Sequence, residues 1–248
     1  MDFSQLFKTV DTVAPGYATG IFTPTHLTIL FLEILFIVLM AQKFRRLDKE
    51  KRKRALRTLA LFIIINEILK DIYLLILGQF QWGNLPFHLC GVNAIVVAVH
   101  LLTGKKKAAE WLYATSLPGG LVALISPNWS KLPLLNIIYW QTNTIHTALV
   151  LYPVLLLVGG FKPKPKRFFA ILPYFLILVA VIYPLNKVLD TNFFFLNYPP
   201  EGTPFVVFEE LLGNPGFIVA FAALLVTVWT LLYLPWRKKG EKVVQKAA

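Results

Sequence analysis

Asn66, Glu67, Lys70 and Asp71 lie inside an apolar run from Leu59 to Leu77 that is long enough to cross a bilayer. An ionisable group at bilayer depth costs about 2.5 to 3.5 kcal/mol on insertion scales, so such residues mark functional sites by default. On a helix, Glu67 and Lys70 are neighbours three residues apart, with Asn66 and Asp71 flanking them. That stripe must face protein or water. It suits either a ligand site or a self-compensating ion pair that only holds helices together.

Three further residues could take part in covalent or acid–base chemistry. His88 and Cys90 follow Pro86, and His146 follows Tyr139, Thr142 and Asn143 on one helical face. A cysteine nucleophile needs a histidine within hydrogen-bond reach. On a regular helix His88 and Cys90 point to nearly opposite sides, so Cys90 needs another helix's histidine or is a small buried packing residue. His88 or His146 can serve as general base, with Asn93 and Asn143 orienting substrate or stabilising an oxyanion. Either histidine also suits interhelical hydrogen bonding. Imidazoles and carboxylates from His88, His146, Glu67 and Asp71 suit zinc or iron, but no paired-ligand motif such as H-E-x-x-H occurs. Neither a metal nor a cofactor is expected.

The elements that must position these groups are helices. Of 248 residues, 56% are apolar and 15% charged, and the mean hydropathy is +0.62, which excludes an ordinary soluble domain. The apolar runs are continuous rather than alternating, which argues against a β-barrel. Seven segments emerge: Pro24 to Ala41, Leu59 to Leu77, Phe87 to Leu102, Ala109 to Ile125, Leu134 to Val158, Phe168 to Leu189 and Phe217 to Leu234. The fold class is therefore all-α, a seven-transmembrane-helix bundle. Residues 1–248 form a single domain with an outer tail at 1–23 and a basic cytoplasmic tail at 236–248. No signal-peptide pattern precedes Pro24, so the first apolar segment should stay in the membrane.

Orientation follows from charge. Of the 25 Lys and Arg residues, all but Lys8, Lys70, Lys131 and Lys187 fall in the first, third and fifth connections or after the last segment. If seven helices alternate, these share one side, which the positive-inside rule makes cytoplasmic. The N-terminus is then outside. The net charge of +12 would suit nucleic acid in a soluble protein, but basic clusters abutting apolar runs make membrane lipids the expected partner and nucleic acid not. With one cysteine, no internal disulfide forms. The same topology places His26, Glu33, Asp71, His88, Cys90, Asn93, Asn143, His146, Tyr183, Asn186, Lys187 and Asp190 in the middle and outer half of the bundle. A polar cavity opening outward explains them with one assumption. Gly119-Gly120 after Pro118 suits a kink or close helix packing, and Asp190 to Pro215 suits a cap over the bundle.

Pro86-Phe87-His88-Leu89-Cys90, Gln141 through His146 with Pro153 beyond, and Asp190-Thr191-Asn192 with Tyr198-Pro199 downstream resemble the bacterial YwaF-like integral membrane proteins. That grouping is similar to the animal transmembrane protein 164 family. The resemblance implies a bacterial cell membrane location and acyl transfer on phospholipids, with the cysteine of a Pro-Cys-His motif as acyl carrier. Here Phe87 stands at that cysteine's position in Pro86-Phe87-His88, and Cys90 lies three residues on. His146 matches the second histidine of the family pattern, and Asn192 belongs to the third matching motif. The histidine is retained and the nucleophile is not, so the cysteine acyl carrier does not carry over directly. The expected function is binding of a lipid or amphiphile in the outward-opening cavity, with phospholipid acyl transfer or lipid hydrolysis using histidine, and His88, His146 and Cys90 as the candidate catalytic residues. A transporter or receptor-like binding protein is the alternative, the same stripe lining its pathway.

Overall fold

The computed structural model describes residues 3–201 and 203–244, with side chains described as far as Trp236. It is all-helical, with no strand among the described residues. Helix α1 (Pro24–Arg45) starts where the Thr23 hydroxyl accepts the His26 amide, and α2 (Lys49–Ile76) starts where Asp48 accepts the Lys51 amide, each satisfying a first-turn N–H that the helix itself leaves free. Helix α3 (Leu89–Thr103) ends at Gly104 in the left-handed region, φ 62°. There follow α4 (Lys106–Trp111), a π-turn (Leu112–Ser116), α5 (Leu117–Ile125), α6 (Ile137–Val158), α7 (Pro165–Leu189), α8 (Val206–Leu212) and α9 (Phe217–Val244). The tail at 236–248 begins inside α9, and residues 245–248 lie outside the described residues.

Among the described residues, four helices are long and apolar enough to cross a membrane: α1, α6, α7 and α9 over Phe217–Trp236. Their surroundings differ. About 61% of the α6 window is buried, against 11% for α1, 22% for α7 and 17% for α9. So α6 is the central post, and the others turn broad apolar faces outward, as lipid-facing helices do. Helix α2 follows suit on one side: Phe62, Ile65, Ile68, Leu69, Ile72 and Leu75 are exposed, while Ile63 and Leu74 are buried.

Two prolines explain how the middle of the bundle is tied. Pro118 has no N–H for the Ala114 carbonyl, and Pro153 has none for the Leu149 carbonyl. Trp229 Nε1 of α9 donates to Ala114 O at 2.8 Å, and Ser116 Oγ donates to Leu149 O at 2.7 Å. The π-turn sits directly before Pro118, where the regular ladder fails. Gly120 then lets α5 close on α6, since a Cβ there would lie 2.6 Å from Val150 Cγ2. Close packing, rather than a kink alone, is what this glycine serves.

One end of the bundle is covered by loops. Asn136 caps α6 by accepting the Tyr139 amide, and its Nδ2 donates to Gln5 O and Lys8 O, so the N-terminal tail is docked there. The Asp190–Gly216 connection folds over the same end through asparagines. Asn186 Nδ2 donates to Phe193 O and its Oδ1 accepts the Phe193 amide and Thr191 hydroxyl. Asn192 and Asn197 close the next turns, Asn192 Oδ1 accepting the Asn197 amide and Asn197 Nδ2 donating to Thr191 O.

Candidate functional site

The stripe on α2 is an ion triad turned into the bundle. Lys70 Nζ donates to Glu67 Oε1 at 2.6 Å and lies 3.2 Å from Asp71 Oδ1. Their side chains are 17%, 15% and 29% exposed, partly accessible rather than sealed. Asn66 Oδ1 accepts Gln141 Nε2 at 2.8 Å, which fastens the stripe to α6. The charge of Lys70 bears on His88, Cys90 and His146, that of Glu67 on Cys90 and His146, and that of His146 on His88. The three chemistry-bearing side chains thus share one neighbourhood with the triad. Each is enclosed by protein yet keeps some accessible surface.

His146 is held in a defined state. Its Nδ1 lies 2.8 Å from Thr142 O; a carbonyl only accepts, so Nδ1 carries the proton and Nε2 of the neutral ring is an acceptor. Trp129 stacks on the ring, centroids 4.7 Å apart and planes inclined by 23°. The buried Trp129 Nε1 has no partner among the described residues, nor have Asp71 Oδ1 and Tyr73 OH in hydrogen bonds. Gln79 Oε1, Ser126 Oγ and Asn197 Oδ1 are orphaned as well. Of all these atoms, Trp129 Nε1 belongs to the ring stacked on His146 and Asp71 Oδ1 to the triad. A buried polar atom without a partner is a place where water or a ligand binds.

His88 is the N-cap residue of α3, with extended backbone at φ −65° and ψ 155°. The opposite-sides geometry of a regular helix therefore does not apply to His88 and Cys90. Gly91 makes this possible: a Cβ there would lie 2.7 Å from Pro86 Cα, so the Pro86-Phe87-His88 segment folds back on the first turn of α3. Phe193 and Phe195 contact the His88 ring at 5.2 and 5.5 Å, and Phe87 packs edge-on against Phe193 at 5.5 Å. Phe194 and Phe195 hold positive φ, 57° and 54°, a strained backbone for bulky side chains. The asparagine-tied loop thus delivers its aromatic rings onto His88.

Other sequence candidates are occupied elsewhere. Asn93 Oδ1 accepts Trp111 Nε1 at 3.0 Å and Thr115 Oγ1 at 2.8 Å, tying α3 to the start of the π-turn. Asn143 Nδ2 donates to Tyr139 O of its own helix, and Asn192 organises its loop. Of the candidates Tyr183, Asn186, Lys187 and Asp190 at the end of α7, only Asn186 is buried; the other three are exposed, with Lys187 over the Tyr183 ring at 5.5 Å, so they do not join the cluster. The reason is that Asn186 alone faces the loop it anchors. His26 accepts the Phe22 amide at Nδ1 and bonds Leu124 O through Nε2, a neutral, fully used ring. His100 bonds Tyr152 OH at 2.9 Å. Among the described residues, no group of three or more His, Cys, Asp or Glu side chains could hold a metal ion.

The sequence reading overlooked Trp129 and Glu110. A tryptophan in a short loop carries no sign that it will stack on a histidine in the middle of the following helix. Glu110 is fully buried at the opposite end, where it accepts Arg167 Nε at 2.7 Å, the Lys164 amide at 3.0 Å and Tyr233 OH at 2.6 Å.

An all-α membrane protein with histidines, a thiol and an ion triad gathered under one loop-covered end is the class these features define. The TMEM164 family model matches residues 21–233, and the chain belongs to that family. No curated protein and no solved structure matches it.

Proposed function

We propose that this protein binds a membrane phospholipid in the cleft around His146 and transfers an acyl chain from it. The observation that carries this reading is His146 itself: Nδ1 fixed by Thr142 O, Nε2 left as an acceptor, and an unpartnered Trp129 N–H beside it. Histidine in that state is a general base. Cys90, in the same electrostatic neighbourhood, supplies the thiol. His146 takes the thiol proton as sulfur attacks the ester carbonyl, and the lysolipid alcohol leaves with that proton. An acceptor hydroxyl then gives its proton to His146 and attacks the thioester, and the cysteine sulfur regains a proton. Glu67, Lys70 and Asp71 set the electrostatics around these steps, with Asn66 bracing them. His88 lines the mouth under Phe193 and Phe195.

In this proposal α2, α3 and the α4–π-turn–α5 run also cross the bilayer, which makes seven crossings. The basic ends are cytoplasmic, the loop-covered end lies outside, and the location is a bacterial cell membrane. Helix α2 is charged, α3 has 15 residues and the third run is broken by the π-turn, so each depends on neighbours for its polar groups.

The test is acyl migration between a labelled phospholipid and a lysolipid by purified protein. His146→Ala should lower the rate by about 100-fold or more, and Cys90→Ser should abolish a thioester trapped by hydroxylamine. Undiminished transfer by His146→Ala defeats the catalytic reading.

A binding or transport role without catalysis is the second reading, supported by Glu33. It lies on α1 facing Thr147 and Tyr139 of α6, with no cation within ion-pair distance among the described residues. Solute uptake abolished by Glu33→Gln, with acyl transfer absent in the parent, would favour it.

A further inference from the structure

The opposite, basic end carries a second amphiphilic feature. A groove of about 670 Å³ runs between the α1–α2 turn and the end of α6. Its floor is apolar, formed by the buried Phe44 with Leu47 and Leu56. Gly159 permits the depth, because a Cβ there would lie 3.3 Å from Phe44 Cε1 and 3.0 Å from Leu155 O. Its rim is cationic. Arg52 is committed to the turn itself: Nε donates to Leu47 O at 2.9 Å, Nη2 to Arg45 O at 2.6 Å, and the guanidinium lies 5.7 Å from the Phe44 ring centroid.

Lys49 and Lys53 are different. They line the same groove one helical turn apart on α2, both are exposed, and neither has an ion pair among the described residues. Glu50 also lines the groove but pairs with neither of them. Lys51, by contrast, is neutralised by Asp48 at 3.2 Å. General positive-inside bias accounts for basic residues near a membrane face. It does not account for two free ammonium groups over a preformed apolar floor.

We infer that this groove is a binding site for an anionic phospholipid, its phosphate held between Lys49 and Lys53 and its glycerol and first chain carbons lying on Phe44, Leu47 and Leu56. The charge on the rim selects the headgroup, and the floor continues the apolar outer surface of α1 and α2. The site lies at the far end of the bundle from His146, so it is independent of the acyl-transfer reading.

The test is native mass spectrometry of the purified full chain in detergent, titrated in parallel with phosphatidylglycerol, phosphatidylcholine and inorganic phosphate. Phosphatidylglycerol should be retained in preference to the other two. Lys49→Gln/Lys53→Gln should weaken its retention roughly tenfold to thirtyfold, from the loss of two cation–headgroup contacts. Lys49→Arg/Lys53→Arg should keep it. Lys106→Gln/Lys107→Gln, which removes exposed charge outside the groove, should leave it unchanged. Equal retention of phosphatidylcholine, equal loss in the Lys106/Lys107 control, no loss in the Lys49/Lys53 variant, or full displacement by inorganic phosphate would each overturn the assignment.

Discussion

Two ionic clusters sit at opposite ends of the bundle and are built differently. At the basic end, one fully buried carboxylate, Glu110, receives a guanidinium, a backbone amide and a phenol drawn from α7, its leading loop and α9. At the covered end, Glu67, Lys70 and Asp71 all belong to α2, remain partly accessible, and share a neighbourhood with His88, Cys90 and His146, where Asp71 Oδ1 and the Trp129 indole N–H have no hydrogen-bond partner. Saturation is what separates them. A carboxylate whose partners come from three separate segments and leave it no accessible surface is a fastener; a triad that compensates itself and leaves its neighbours unpaired is a place for a ligand.

Removing the fastener should have the largest effect on stability. Glu110→Ala leaves the Arg167 charge, the Lys164 N–H and the Tyr233 hydroxyl without their acceptor, at a cost of about 3 to 5 kcal/mol. Thermal unfolding in detergent should drop accordingly, with Glu110→Gln milder because the amide still accepts. Acyl transfer per folded molecule should be unchanged in Glu110→Gln. If that variant lost transfer while keeping its melting temperature, the basic end would be part of the site.

Gly91→Ala should do the reverse. The added Cβ meets Pro86 backbone atoms at 2.7 and 2.9 Å, and backbone yields less readily than a flexible side chain. Overpacking of this kind costs about 1 to 3 kcal/mol, less than the Glu110 lesion. Yet it moves the segment that carries His88, so substrate binding should fall further than stability. A Gly91→Ala protein with normal binding and transfer would separate His88 from the site.

These contrasts were unevenly readable in the sequence. Continuous apolar runs announced an all-helical membrane protein, and three-residue spacing paired Glu67 with Lys70, because both are local properties of one helix. Pro86 marked the approach to α3, but assuming a regular helix put His88 and Cys90 on opposite sides; the N-cap conformation depends on the fit of Gly91 against Pro86. Glu110, close to Lys105, Lys106 and Lys107 in the chain, drew no reading at all. Its partners lie more than fifty residues away, and spacing rules carry no such information. The same holds for the carbonyls freed by Pro118 and Pro153: the prolines are visible, the Trp229 and Ser116 donors that answer them are not.

A third ion pair gives the baseline against which the other two are judged. Lys131 Nζ and Glu201 Oε2 lie 2.8 Å apart across two loops of the covered end, with side chains 47% and 74% exposed. The hydrogen bond from Lys131, and then its charge, hold the Glu201 carboxyl below its ordinary value of 4.5. A lowered carboxyl value in the folded state stabilises at pH above 4.5, and the contribution fades as pH falls through the folded value. Water and salt screen so open a pair, and exposed pairs contribute about 0 to 1 kcal/mol. Glu201→Gln should therefore shift the melting temperature at neutral pH least of the three variants, and the small difference from the parent should shrink as pH falls below 4.5 and vanish once the carboxyl is protonated in the folded state as well. A Glu201→Gln loss as large as that of Glu110→Gln would mean that the number of linked segments, rather than burial and saturation, decides which ionic contacts hold this bundle together.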